Sequence, residues 1–501
     1  MNFPKNSPNE IIQLISKRKS GYWMRKRETC SLDLFHTAAK QVPAYADFLK
    51  INSINPKNIL NWKDFQKVPP VNKDNYLRMY KLADLCWGGN LKNPGVLTAT
   101  SGSTGEPVYF LRNDNLDWQY SVILESFLKR NKISTTEPTL VVVCFGMGLW
   151  IAGIITYKAF ELAAQRNHYP LSIITPGINK RDIFNALRNI ASQYKQIIFA
   201  GYPPFIKDII DGADELNIDL KKFSIRILFA AEAISEEYRD YVVEKTGISD
   251  YNKDIINIYG SADIGAMAFE TGLPIWVKRR SIKDNKLFNN VFSPINKTPT
   301  LAQFIPDFIN FEEVGGELLL TGDSSVPLIR YAIGDHGGVF SFNELKTKFE
   351  KHGINIEAEM KNDGSADLIN ELPFVYVYER KDLSATFYGL LIYPEWIKPT
   401  FFETKIRDLV SGKFVLITRY DVNSNQFLEV NIELKKGVRA TDKVEKMILE
   451  RIVNQLQKVS SEYRELLNNL KEKAYPRLKL WQTEDLTYFT PGIKQKWVLN
   501  V

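Results

Sequence analysis

Apolar residues recur along this chain in two rhythms. Short continuous runs at 140–145, 172–175, 196–199 and 225–230 predict buried strands. Between them, apolar positions spaced by threes and fours at 182–194, 204–216 and 236–245 predict amphipathic helices, the last with Ser235 as its N-cap. Strand and helix in alternation predict an α/β architecture of layers around a largely parallel sheet. Residues 1 to about 90 read as largely helical, with a proline-rich passage at Val68-Pro69-Pro70. GGELLLTGD and PLIRYAIGDHGGVF, between 315 and 340, predict β-rich structure. A smaller α+β unit begins near Lys381. It opens with a hairpin of strands 413–420 and 427–435 joined by DVNSN. A long helix follows, whose apolar positions Val444, Ile448, Ile452, Leu456, Val459, Tyr463, Leu467 and Leu470 form one continuous buried stripe. A strand at 478–481 and a tail to Val501 complete the unit. No internal repeat interrupts the pattern.

Composition narrows the classes. The chain has 501 residues, 44% hydrophobic and 25% charged, which is that of a soluble globular protein with two to four domains. The net charge of +7 is modest, and the basic residues are spread with no arginine-rich tract, so nucleic acid is not an expected partner. Cys30, Cys86 and Cys144 are far apart and odd in number, and His36, His168, His336 and His352 are isolated. Neither a disulfide framework nor a metal cluster or Ser-His-Asp triad follows. The N-terminus lacks an apolar signal core. The longest apolar stretch, 140–164, is broken by Gly146, Gly148, Gly153 and Lys158, so it reads as strand, glycine loop and helix rather than a membrane span. The expected compartment is the cytoplasm, with no membrane partner.

The densest chemistry lies in LTATSGSTGEPVYFLRN, residues 97–113. Thr100, Ser101, Ser103 and Thr104 supply hydroxyls, and Gly102 and Gly105 let backbone N–H groups approach a ligand closely. Such a loop wraps a polyphosphate; it also serves as a plain flexible turn. No Gly-Lys-Ser/Thr closes it, and Glu106 stands where a cation would help, so any phosphate is held by neutral donors.

Several further segments fall in a recognisable order. VPAYADFLK and FQKVPPVNKDNYLR come near the start, the second with a "P-x-x-x-K" approach to the first strand. TSGSTGEP, FAAEAIS (229–235), IYGSADIGA (258–266) and PLIRYAIGD (327–335) follow. YERKD (378–382), YGLLIYPEWI (388–397) and PGIKQKWV (491–498) come last. In this order the chain resembles the ANL superfamily of adenylate-forming enzymes, within it the branch of phenylacetate–CoA ligases and capsule-biosynthesis adenylyltransferases. The resemblance spans nearly the whole chain.

It implies a large N-terminal adenylation domain, 1–380, and a small mobile C-terminal lid domain, 381–501. It implies ATP and Mg²⁺ as cofactors. A carboxylate attacks the α-phosphorus of ATP and expels pyrophosphate; both partners are anions, so the protein must position them and offset charge. By resemblance, Thr100 to Gly105 hold the phosphates, with Ala231, Glu232, Tyr259, Gly260 and Ser261 around the nucleotide. Tyr259 flanks the adenine, and Asp335 accepts from the ribose hydroxyls. Asp263 stands where the family's Glu binds Mg²⁺, one methylene shorter, and Ala262 replaces a usual hydroxyl, for which Ser261 or a water substitutes. Arg380 resembles the hinge arginine, though Glu379 replaces the usual glycine, and Asp382 is the hinge. Lys494 is the implied catalytic cation, with Lys496 a competing assignment. Arg330 fits a structural ion pair as well as a ligand contact. The acyl pocket is expected at Phe145, Gly146, Trp150, Tyr202, Pro203, Phe229, Ala230 and Ile258, and its aromatic content suggests a flat or apolar acid. For each of these, ordinary core packing is the competing reading.

The expected activity is ATP-dependent formation of an acyl-adenylate, then transfer to CoA or another thiol such as that of a carrier protein. Two alternatives stand beside it: an adenylyltransferase with no thioester step, and a degenerate member that binds nucleotide or acid without turnover. A homodimer is compatible with the branch.

Overall fold

The computed structural model describes residues 7–92, 95–99, 108–148, 151–292, 298–378, 384–403, 405–483, 485–489 and 497–499. Among the sequence-derived candidates, Thr100, Ser101, Gly102, Ser103, Thr104, Gly105, Trp150, Arg380, Asp382, Lys494 and Lys496 lie outside those residues.

The centre is an eleven-stranded sheet. From edge to edge its strands are Ile309–Val314, Glu317–Gly322, Leu328–Phe340, Phe374–Tyr378, Thr300–Gln303, Gly265–Glu270, Ile255–Ser261, Ser224–Ala230, Gln196–Gly201, Thr139–Cys144 and Leu171–Ile174. The last five are parallel to one another and the rest are antiparallel. The expectation of a largely parallel sheet therefore holds for the βαβ half only. Short turns such as Ala262–Ile264 and Gly315–Gly316 leave no room for a crossover helix, so the chain must double back antiparallel.

The predicted elements of the parallel half fall within about a turn of their expected bounds. Helices Lys180–Asn189, Pro203–Glu215 and Glu236–Thr246 alternate with fully buried strands. Ser235 caps the last helix, its hydroxyl accepting from Tyr238 N–H at 3.1 Å. The 140–164 stretch is strand Thr139–Cys144 and helix Ile151–Asn167. No helix among the described residues is long and apolar enough to cross a membrane.

The N-terminal helices Pro8–Lys17, Ser20–Gln41 and Pro43–Ile51 lead into the Val68-Pro69-Pro70 passage. That passage is stitched to the sheet: Val71 N–H donates to Arg330 O at 3.2 Å, and Ala332 N–H to Val71 O at 2.8 Å. Strands Val96–Ala99 and Tyr109–Arg112 pair antiparallel on either side of the Ser/Gly loop.

After residue 383 a hairpin, Ala385–Phe387 with Leu390–Ile392, precedes a four-stranded sheet ordered Arg477–Trp481, Gln426–Leu434, Val410–Tyr420, Val498–Leu499. The DVNSN turn is closed by Asp421, whose carboxylate accepts from the N–H groups of Asn423 and Asn425 at 2.9 Å. The long helix predicted beyond it is two helices, Asp442–Val459 and Ser461–Leu470. Ser460 breaks it. Its hydroxyl accepts from Tyr463 N–H at 3.0 Å, offering the backbone a cap instead of a continuing turn. Val459 consequently points outward, 42% exposed, and the buried stripe is not continuous.

Candidate active site

A cavity of about 330 Å³ opens where the parallel strands end. Its floor is the tail of strand Ile255–Ser261 and the tight return to Gly265–Glu270. Gly265, at φ +89°, is required there: a Cβ would lie 2.6 Å from Arg112 Nη1. The turn presents Asp263, 4% exposed, whose Oδ2 accepts from Tyr331 O–H at 2.7 Å. Lys73 Nζ lies 3.7 Å from the same oxygen. Lys73 reaches the cavity because the stitch at Val71 delivers it.

Tyr259 and Asp335 meet on the wall. The phenol donates to Asp335 Oδ2 at 2.6 Å, fixing both side chains. Three buried polar atoms on the same cavity have no hydrogen-bond partner among the described residues: Asn257 Oδ1, Ser261 Oγ and Ser384 Oγ. Asn257 Nδ2 is anchored, donating to Glu232 O at 3.3 Å, so the amide offers its carbonyl oxygen. Buried polar groups left open in this way are suited to a polar ligand.

The opposite wall is the loop after strand Ser224–Ala230. Ala231 takes a positive φ of 73°, unusual for a side-chain-bearing residue. A buried ionic cluster supports this loop. Lys278, fully buried, donates to Ile234 O at 3.2 Å and pairs with Glu236 at 3.1 Å and Glu270 at 2.8 Å. Burial pushes the Glu236 carboxyl up, but Arg239 and Lys278, with Arg279, outweigh it and hold it down at about 2.

Glu232 lines the cavity, but its carboxylate is engaged by the C-terminal region. Gly389 N–H donates to Oε1 at 2.6 Å and Gln426 Nε2 to Oε2 at 2.9 Å. Gly389 itself lies so close to the Tyr202 ring that a Cβ would sit 2.6 Å from it.

Ala230, Ala231, Tyr202, Ile258, Tyr259, Gly260, Ser261, Ala262, Asp263 and Asp335 all line the cavity. Phe145, Pro203 and Phe229 do not: they are buried behind the wall, Phe145 edge-on to Tyr202 at 4.9 Å and Phe229 against Tyr238 at 5.8 Å. Gly146 is also outside the lining and hydrogen-bonds Tyr202 through its backbone. Arg330 is a structural residue, 4% exposed, paired with Glu312 at 3.1 Å and donating to Val68 O.

Sequence reasoning missed Lys73, Asn257, Tyr331 and Ser384. Lys73 ends the "P-x-x-x-K" of PPVNK, and Asn257 is two residues before Tyr259 and so on the same strand face; both signals were present. Tyr331 lies within the quoted segment PLIRYAIGD, while Ser384 lies in none of the quoted segments.

Asp263 is one carboxylate, and no group of three or more His, Cys, Asp or Glu forms a metal cluster among the described residues. That donor set fits Mg²⁺, which is held by one or two carboxylates together with phosphate oxygens of a bound nucleotide.

No family model and no curated protein sequence matches the chain. Solved structures do. A 2-hydroxyisobutyryl-CoA ligase in complex with 2-HIB-AMP and CoA in the thioesterification state is similar over 100% of this chain and 96% of its own, at 15% identity and a TM-score of 0.65. An open conformation of that ligase with the same two ligands gives 14% identity, 100% and 96% coverage and a TM-score of 0.53. Its postadenylation state with 2-HIB-AMP gives 14% identity, 100% and 94% coverage and 0.52. At such identity the likeness is one of fold: the chain shares the α/β fold of that ligase.

Proposed function

We propose that the chain is an adenylate-forming ligase of the phenylacetate–CoA ligase-like branch. It activates a carboxylic acid with ATP, releases pyrophosphate and passes the acyl group to a thiol, CoA being the acceptor that fits the fold best. The observation that supports this most is the convergence on one cavity of Asp263, the Tyr259–Asp335 pair and three unpartnered buried polar atoms, beside an apolar wall.

Each group has a task in that reading. Asp335, fixed by Tyr259, accepts from vicinal ribose hydroxyls. Asn257 Oδ1 accepts from an exocyclic amino group of the base, and the Ser261 hydroxyl takes the place of the hydroxyl lost at Ala262. Asp263, oriented by Tyr331, would hold Mg²⁺, which when bound offsets phosphate charge. Lys73 adds a fixed cation on the same side. The Ser/Gly loop between its two strands holds the β- and γ-phosphates. Lys494, on a C-terminal lid beginning near residue 381, bridges the attacking carboxylate and the α-phosphate.

The test is pyrophosphate release from ATP and Mg²⁺ across aryl, aliphatic, hydroxy and amino acids, with and without CoA. Acid-dependent release that Asp335→Ala and Lys494→Ala abolish supports activation, and a CoA-dependent thioester product supports the second step. ATP binding without release for any acid would refute it.

A further inference from the structure

One end of the cavity carries a hydroxyl pair that its surroundings leave incomplete. Tyr120, on helix Asp114–Lys129, and Thr156, on helix Ile151–Asn167, both line the cavity and are 2% and 1% exposed. Their oxygens lie 3.3 Å apart, and that contact is the one hydrogen bond either hydroxyl makes among the described residues.

Two hydroxyls bring two O–H donors. A single mutual bond uses one of them. Whichever side chain gives that proton, the other O–H is left without an acceptor. The contact is also long, since O–H···O bonds cluster near roughly 2.7–2.8 Å. The two helices hold the hydroxyls slightly apart instead of letting them close on each other. Thr156 is mid-helix, where a threonine hydroxyl commonly turns back to the carbonyl four residues before it; here it faces Tyr120. Burial pushes the Tyr120 phenol well above its usual value, so it remains a donor across the working pH range.

An unmatched donor in a buried wall is destabilising, and phenylalanine with valine would fill the same space without it. The neighbouring lining is apolar: Ile151, Ala152, Ile155 and Ala266. We infer that the acyl substrate is an oxygen-bearing carboxylic acid, with a hydroxyl, keto or alkoxy oxygen that accepts from the Tyr120–Thr156 pair, rather than a plain hydrocarbon acid. This rests on the reading that the cavity takes an acyl group. It replaces the flat or apolar acid suggested by aromatic content with a class set by a specific donor.

The experiment is calorimetric titration of the full chain with acyl-sulfamoyl adenosines, stable mimics of an acyl-adenylate, in pairs sharing one carbon skeleton. The pairs are butanoyl with 3-hydroxybutanoyl, and phenylacetyl with 3- or 4-hydroxyphenylacetyl. In the tightest-binding pair the oxygenated member binds at least about 10-fold better, since a site built around a hydrogen bond rejects the analogue lacking it. Thr156→Val and Tyr120→Phe combined bring the ratio within about 2-fold, whereas either alone leaves one O–H donor in the wall and keeps a preference for the oxygenated member. Both are near-isosteric, and if the double variant fails to fold the comparison within each pair on the unaltered chain still decides the inference. Equal binding of the pair, a preference for the hydrocarbon member, or a preference that survives both substitutions overturns the inference. Oxygen-selective binding without pyrophosphate release from the parent acids supports it while refuting activation. Pyrophosphate release with no oxygen preference does the reverse. Binding of no mimic overturns both.

Discussion

Replacing Lys278 with methionine removes the cation at the centre of the buried cluster behind the loop 231–234 on the cavity wall. The side chain is fully buried, pairs with Glu236 and Glu270, and holds Ile234 O. Methionine keeps the volume, so the change is electrostatic. Removing one partner of a buried pair costs about 3–5 kcal/mol when the other charge is left unpaired; here Glu270 keeps Arg239 and Glu236 keeps Arg239 and Arg279, so the cost falls below that range. Against burial, which raises it, the Glu236 carboxyl is held at about 2 against an ordinary 4.5, by Arg239 first and then Lys278 and Arg279, so Lys278 supplies a share of that depression. The value is depressed, so the stability it brings is present above the unfolded value near 4.5 and is lost as pH falls toward about 2. Equilibrium urea unfolding followed by tryptophan fluorescence reads both quantities. Lys278→Met should lose about 2 kcal/mol at pH 7 and partly flatten the acid limb between roughly pH 5 and 2. A loss under about 1 kcal/mol, or an unchanged acid limb, would refute the claim that this cluster carries the loop.

Other outcomes follow from the same geometry. Asp335→Asn should raise the KM for ATP by about 10-fold or more in the pyrophosphate assay, because a charge-assisted acceptor becomes a neutral one. Asp263→Asn should lower kcat by about 100-fold with ATP affinity less affected, and excess Mg²⁺ should not restore it. Gly265→Ala forces a Cβ against Arg112 at a positive φ and should cost about 1–3 kcal/mol by thermal unfolding. The Asp323 carboxyl is pushed up by burial to about 6, with the Trp87 indole N–H pulling the other way. A raised carboxyl destabilises once ionised: the penalty is full above about 6 and gone below 3.8. Asp323→Asn should therefore raise stability at pH 7 and leave the value at pH 4 nearly unchanged.

Much of this was legible in the chain. The βαβ half reads correctly because a strand buried on both faces is continuously apolar, and its helices show a stripe. The antiparallel half reads less well, since its strands leave the parallel order at turns as short as Ala262–Ile264, which carry no signal of which edge they join. The stripe through Val459 misled for a local reason: periodicity does not register that Ser460 competes for the backbone. In the site, Tyr259, Asp263 and Asp335 were recognisable by their motifs, whereas Phe145 and Phe229 were not separable from the pocket wall. On a buried strand both faces are apolar, and composition does not say which one meets a cavity.

Local chemistry is therefore a property of the chain alone: which segments are strands, which loop suits phosphate, which carboxylates stand in motifs. Partnership is a property of the folded molecule. Lys73 reaches Asp263 from 190 residues away through the stitch at Val71. Glu232, on the cavity wall, accepts from Gly389 and Gln426 of the C-terminal region. Tyr120 and Thr156 share one bond and leave one donor over. Hydrogen bonds and ion pairs form across space at lengths of about 3 Å, and only packing of the whole sheet and its helices sets which distant residues come that close.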